Sequence, residues 1–178
     1  MRTPADIIAT YIRAKDGNRP HLMAEAFAET AVLEMIVKTG AISFPPRTIG
    51  LTSIADVLVG RFGQTFENVY TLCLAPPPAE VKAFDCDWLV GMSEKTSGAV
   101  LVGCGRYEWQ FSETDPPLAQ RLVITVEKME VLPGTTLAPV MRWLSNLPYP
   151  WCPAERAAAS TPDFTLLSTI VAFMDRRQ

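Results

Sequence analysis

An α+β fold, with helices packed on a curved antiparallel sheet around an apolar pocket, is predicted from three features of the 178-residue chain. Apolar residues recur at helical spacing up to Gly63, interrupted by one alternating stretch at 31–39. From Phe66 to Leu132 the period shortens to that of strands. Proline and glycine clusters separate those strands by hairpin-length gaps, which favours antiparallel neighbours.

Each element follows from its residues. Pro4 opens a helix, since its missing N–H is not needed in the first turn; Ile7, Ile8, Tyr11 and Ile12 form its apolar stripe and Asp16-Gly17-Asn18 ends it. Pro20 starts a second helix running to Glu29-Thr30, with Leu22, Met23, Ala26 and Phe27 inward. In the strand 31–39, alternation puts Ala31, Leu33, Met35 and Val37 on one face and Glu34 and Lys38 on the other. Residues 40–50 form a loop, and Thr52 or Ser53 caps a third helix. Strands are expected at 66–75, 84–93, 99–112 and 121–132. Past Pro133-Gly134 the chain predicts a helix over 137–147, an extended aromatic segment over 148–153 and a last helix over 162–175. The whole chain, 1–178, reads as one domain, with a core over about 5–132 and a helical extension over about 135–178.

Composition narrows the function. A net charge of −3 argues against a nucleic-acid binder, which normally presents a basic face. The N-terminus has no signal-type apolar region, and no apolar run is long enough to span a bilayer, so a cytoplasmic protein without membrane attachment is expected. Cys73, Cys86, Cys104 and Cys152 lack metal-knuckle or redox spacing and read as reduced, buried thiols. A single histidine, His21, disfavours a multi-histidine metal centre. No metal and no cofactor are expected.

Two segments carry a resemblance. They are Tyr11-Ile12-Arg13-Ala14-Lys15-Asp16, and Phe27-Ala28-Glu29-Thr30-Ala31-Val32-Leu33-Glu34, which leads into the first strand. Ile49-Gly50 before the third helix and Val123-Ile124-Thr125-Val126 in the late strand add to it. In these, and in the order of its elements over about 5–132, the chain resembles the nuclear transport factor 2-like superfamily, which includes the SnoaL-like polyketide cyclases and the ketosteroid isomerases. The resemblance implies a cone-shaped, cystatin-like fold and a homodimer. It aligns Tyr11 with the isomerases' oxyanion-hole tyrosine. It also puts Met35 where their general base stands and Thr125 where they hold a neutral carboxylic acid. A thioether takes no proton, so their usual route is disfavoured.

The candidate pocket walls are Tyr11, Leu33 and Met35, together with Val123, Thr125, Glu127 and Met129, which share a face if Thr125 points inward. Tyr11 and Glu127 are the catalytic candidates: a phenol to hold an oxygen, and a carboxylate whose pKa would rise among apolar groups. The alternatives are a core tyrosine and a solvated rim glutamate. Arg106 and Glu108 share one face of the long strand and read as an exposed pair or as a pair orienting a polar ligand; Asp85 and Asp87 share one face of its neighbour and read as a solvated strand end or as resembling the acidic pair of an epoxide hydrolase, whose arginine-aspartate spacing they lack. Trp143, Tyr149 and Trp151 either cover the pocket or pack the tail onto the body. The leading expectation is a binding protein for a small apolar ligand. The alternatives are a cofactor-free isomerase, dehydratase or cyclase, and a dimeric protein-interaction module.

Overall fold

A computed structural model describes residues 2–176. Helix α1 (Pro4–Asp16) begins with a reciprocal cap: the Asp6 N–H donates to the Thr3 hydroxyl, and the Asp6 carboxylate accepts the Thr3 N–H at 2.8 Å. These bonds hold the Asp6 carboxyl below its ordinary value. The second helical segment is only a 3-10 turn, Pro20–Glu25. Strand β1 (Phe27–Val37) starts earlier than expected because Phe27 pairs with Ala119, whose N–H donates to the Ala26 carbonyl at 2.8 Å.

After β2 (Arg47–Ile49) the chain enters a helical run made of α2 (Leu51–Ala55), a π turn (Asp56–Gly60) and α3 (Arg61–Thr65). Neither Thr52 nor Ser53 caps it; Gly50 does, at φ 93°, a backbone angle that favours glycine. Strands β3 (Phe66–Cys73), β4 (Ala83–Glu94), β5 (Val100–Phe111) and β6 (Ala119–Leu132) follow, each within a few residues of its expected bounds.

The six strands lie in the order β2-β1-β6-β5-β4-β3. Four ladders are antiparallel, but β1 runs parallel to β6, so the sheet is mixed rather than purely antiparallel. The long stretch of chain between these two strands permits that pairing. The inner face packs on α1 and the α2–α3 run, burying Ile7, Ile8, Tyr11, Leu33, Trp109 and Leu122.

The opposite face carries a second core. Helices α4 (Leu137–Ser145), α5 (Ala154–Ala159) and α6 (Ser168–Asp175) cover Leu72, Leu89, Val100, Val102 and Leu132. Gly91 lets α4 settle on β4, since a Cβ there would stand 2.1 Å from Leu144 Cδ1. Trp143 lies buried in this layer and donates its indole N–H to the Ala157 carbonyl at 3.1 Å. Among the described residues no helix is long and apolar enough to cross a membrane.

Candidate functional site

Between α1 and the inner sheet face lies a cavity of about 40 Å³. It exceeds the roughly 10–15 Å³ that one water needs, and falls far below the roughly 300–1,000 Å³ of drug-sized sites. Tyr11 and Lys15, one helical turn apart on α1, line it. Met35 contributes from β1, Trp88, Val90 and Met92 from β4, and Tyr107 from β5. Leu58 enters from the π turn and Phe62 from α3. Ile42 and Phe44, both half-buried on the loop after β1, close the remaining side.

Strand β6 supplies Ile124, Val126 and Met129. The odd step between the last two comes from a bulge: Val126 pairs with Gly105 and Lys128 with Cys104, leaving Glu127 unpaired. The inward face therefore runs through 124 and 126 and then changes parity. The sequence-based grouping of Val123, Thr125, Glu127 and Met129 corrects accordingly, and only Met129 of the four lines the cavity. Val123 and Thr125 are buried on the other face, where Thr125 pairs with Ile36 of β1. Glu127 bonds to Lys38 at 2.9 Å. Leu33 is buried in the inner core beside the cavity rather than along it. The structure thus brings Tyr11, Met35 and Met129 together and leaves Glu127 apart from Tyr11.

The Tyr11 ring is fixed by edge contacts to Phe27, Tyr107 and Trp109, with centroids 5.9, 6.0 and 5.5 Å away. Its hydroxyl is buried and has no hydrogen-bond partner in the protein. The Tyr107 phenol is near enough to influence its ionisation but does not meet hydrogen-bond geometry. Burial raises both phenols well above their ordinary range, so both stay protonated and act as donors. The Trp88 indole N–H is likewise buried without a partner.

Lys15 was not among the residues singled out from sequence. It is the sole charged side chain lining the cavity among the described residues. Its Nζ donates to the Thr71 hydroxyl at 2.7 Å and to Asp16 Oδ1 at 3.4 Å, and stands 4.7 Å from the Phe62 ring centre. Asp16 accepts in addition the Thr71 N–H at 2.7 Å, the Thr71 hydroxyl at 2.8 Å and the Tyr149 hydroxyl at 2.8 Å. Burial outweighs the attraction of Asp16 and holds the Lys15 amine below its ordinary value. The i, i+4 spacing of Tyr11 and Lys15 was the available signal, since it puts both on one helix face.

The remaining candidates lie elsewhere. Arg106 faces its ladder partner Asp87 and pairs also with Asp85, on the outer side of the sheet. Trp151 forms a bridge to Cys73, Tyr149 reaches Asp16, and Trp143 sits in the outer core, so these aromatics fasten the tail to the body. All four cysteines are free and buried.

Solved structures with the same architecture include a nuclear transport factor 2-like superfamily protein from Salmonella enterica. It superposes with a TM-score of 0.58 at 16% identity, over 70% of this chain and 88% of that one. The fold is that of the nuclear transport factor 2-like proteins. A protein with a ketosteroid isomerase-like fold from Catenulispora acidiphila, solved with trimethylamine, superposes at 0.54 and 15% identity, over 68% of this chain and 85% of that one. An LEH-like epoxide hydrolase from M. tuberculosis gives 0.51 at 9% identity, over 68% and 80%. No family model and no curated protein matches the sequence. At such identities the nuclear transport factor 2-like likeness is one of fold.

Proposed function

We propose that the protein binds a small, largely apolar molecule bearing one hydrogen-bond-accepting oxygen, seated between α1 and the inner sheet face. One observation carries this reading: the Tyr11 hydroxyl is buried beside a cavity with a mostly apolar surface and donates to nothing in the protein. Leaving such a donor unmet costs about 1–3 kcal/mol, a cost that a bound acceptor would remove. That one neighbour of this fold is an LEH-like epoxide hydrolase supports the same class.

The cavity is small as it stands, so a ligand of six or more heavy atoms has to displace side chains. Met35, Met92 and Met129 supply soft, adaptable walls. Ile42 and Phe44 also border an adjoining hollow of about 190 Å³, so shifting them would join the two spaces. Cyclohexanone, an apolar ring with one acceptor, is a suitable probe. It should shift the methyl resonances of these three methionines saturably, and Tyr11→Phe should weaken binding about tenfold, the worth of one hydrogen bond of about 1.4 kcal/mol. Methionine signals indifferent to cyclohexanone would contradict the reading.

A homodimer through the sheet would have to use the part of the outer face that α4–α6 leave open, near Val32, Ile36 and Arg121. Sedimentation of the protein, with Ile36→Lys as the disrupting variant, measures it.

A further inference from the structure

We propose that the open hollow between α4 and α5 binds a small organic phosphate, a dianion carried on an apolar body. The site belongs to the outer helical layer and is independent of the cavity beside α1.

The hollow has a volume of about 560 Å³, within the roughly 300–1,000 Å³ of small-molecule sites. Helical spacing builds its two sides. Pro139, Arg142 and Asn146 recur along one face of α4 and its C-cap, and Arg156 and Ser160 along one face of α5. Trp143 ties the two helices together, since its indole N–H donates to the Ala157 carbonyl at 3.1 Å. Leu147 and Pro162 add apolar wall.

Charge decides the ligand. Among the described residues, Arg142 and Arg156 line the hollow and no carboxylate does, although Glu155 and Asp163 are close in sequence. Neither arginine is ion-paired within the described chain. The other polar side chains of the site are spent on backbone. Asn146 Nδ2 donates to the Arg142 carbonyl at 2.7 Å, and the Ser160 hydroxyl donates to the Arg156 carbonyl at 3.1 Å. The two guanidinium groups therefore supply the free donors. Their planar forks match phosphate oxygens two at a time. A phosphate monoester carries about −1.5 to −2 charges at neutral pH and offsets both arginines, whereas a carboxylate offsets one. In a chain of net charge −3, this unpaired positive pair is a local feature. The apolar walls take the body of the ligand.

Each arginine also stands in the last turn of its helix, where a cation offsets the negative helix end. If that were its whole role, neutralising it would lower stability and leave ligand binding unchanged, so binding and melting are measured together.

The probe is 2-naphthyl phosphate, titrated calorimetrically into the whole protein at neutral pH. Comparison ligands are 2-naphthol, which keeps the body, and inorganic phosphate, which keeps the charge. Both arginines are exposed, so Arg142→Gln and Arg156→Gln leave the core intact, and Arg47→Gln on β2 removes an exposed arginine far along the chain. We expect saturable binding of 2-naphthyl phosphate, weakened about tenfold by Arg142→Gln and by Arg156→Gln, and unchanged by Arg47→Gln. Each comparison ligand should bind at least about tenfold more weakly than the probe. No binding of the probe, or equal binding by the parent and the two hollow variants, overturns the proposal. So does 2-naphthol binding as tightly as its phosphate, which would mean apolar contact alone, or inorganic phosphate doing so, which would mean a bare anion site. Loss of affinity in Arg47→Gln equal to that in the hollow variants would mean general attraction to positive charge and overturns it as well. The cyclohexanone reading of the inner cavity stands or falls separately, on its methionine shifts.

Discussion

The Lys15 amine donates to the Thr71 hydroxyl at 2.7 Å, and that hydroxyl donates in turn to Asp16 at 2.8 Å, tying the end of α1 to β3. Thr71 is fully buried, so its hydroxyl has no solvent to fall back on. Thr71→Val keeps the shape and removes the relay, leaving a buried amine and a buried carboxylate each short of one bond. We expect a loss of about 2–3 kcal/mol in urea unfolding, with Thr71→Ser restoring most of it.

Tyr11→Phe should behave in the opposite sense. A buried hydroxyl without a protein partner contributes nothing to the fold and costs its desolvation. The variant is expected to equal or exceed the parent in stability, by up to about 1 kcal/mol, while losing affinity for cyclohexanone. A clear loss of stability on calorimetry would show that the hydroxyl serves the core.

Gly105 stands opposite the β6 bulge, where an added Cβ would lie 1.8 Å from the Thr125 carbonyl oxygen and 2.7 Å from the Trp88 ring. Backbone cannot yield as a flexible side chain does. Gly105→Ala should cost at least about 3 kcal/mol and disturb the cavity wall through Trp88. Melting of the purified variant measures the cost.

Stability should fall in alkaline solution. Burial raises the thiols of Cys73, Cys104 and Cys152 above their ordinary value of 9.0, that of Cys104 to about 12. It raises Tyr11, Tyr107 and Tyr149 above 10.0. Above about 9 the unfolded chain releases protons that the folded chain retains, so stability declines as pH rises. Lys15 has the opposite sign: its lowered value means that stability from this group rises with pH up to about 10.5. Six groups oppose one, and the net slope should be downward. In a Lys15→Met background the decline should be steeper. Urea titrations from neutral pH to beyond 10 check both.

The fold was largely legible in the chain because its signals are local. The stripe Ile7, Ile8, Tyr11 and Ile12 marked α1, and the apolar odd positions of β1 put Leu33 and Met35 inward, as the structure has them. Three features needed contacts distant in sequence. Phe27 joins β1 because Ala119 pairs with it, which no helical stripe reveals. The parallel β1–β6 pairing likewise appears only once the sheet is assembled. The cavity face of β6 depends on one unpaired residue, Glu127, and strand alternation cannot foresee a bulge. Lys15 is hard to read from the chain for a different reason. A lysine before an aspartate at a helix end ordinarily faces water, and here burial follows from the packing of Phe62 and Thr71 over it.

The most direct test of the binding site is a cyclohexanone titration of methyl-labelled methionine in the parent and in Tyr11→Phe. We expect saturable shifts at Met35, Met92 and Met129 in the parent and about tenfold weaker binding in the variant. Identical affinities in the two proteins, or shifts confined to methionines outside the cavity, would contradict a site organised around the Tyr11 hydroxyl.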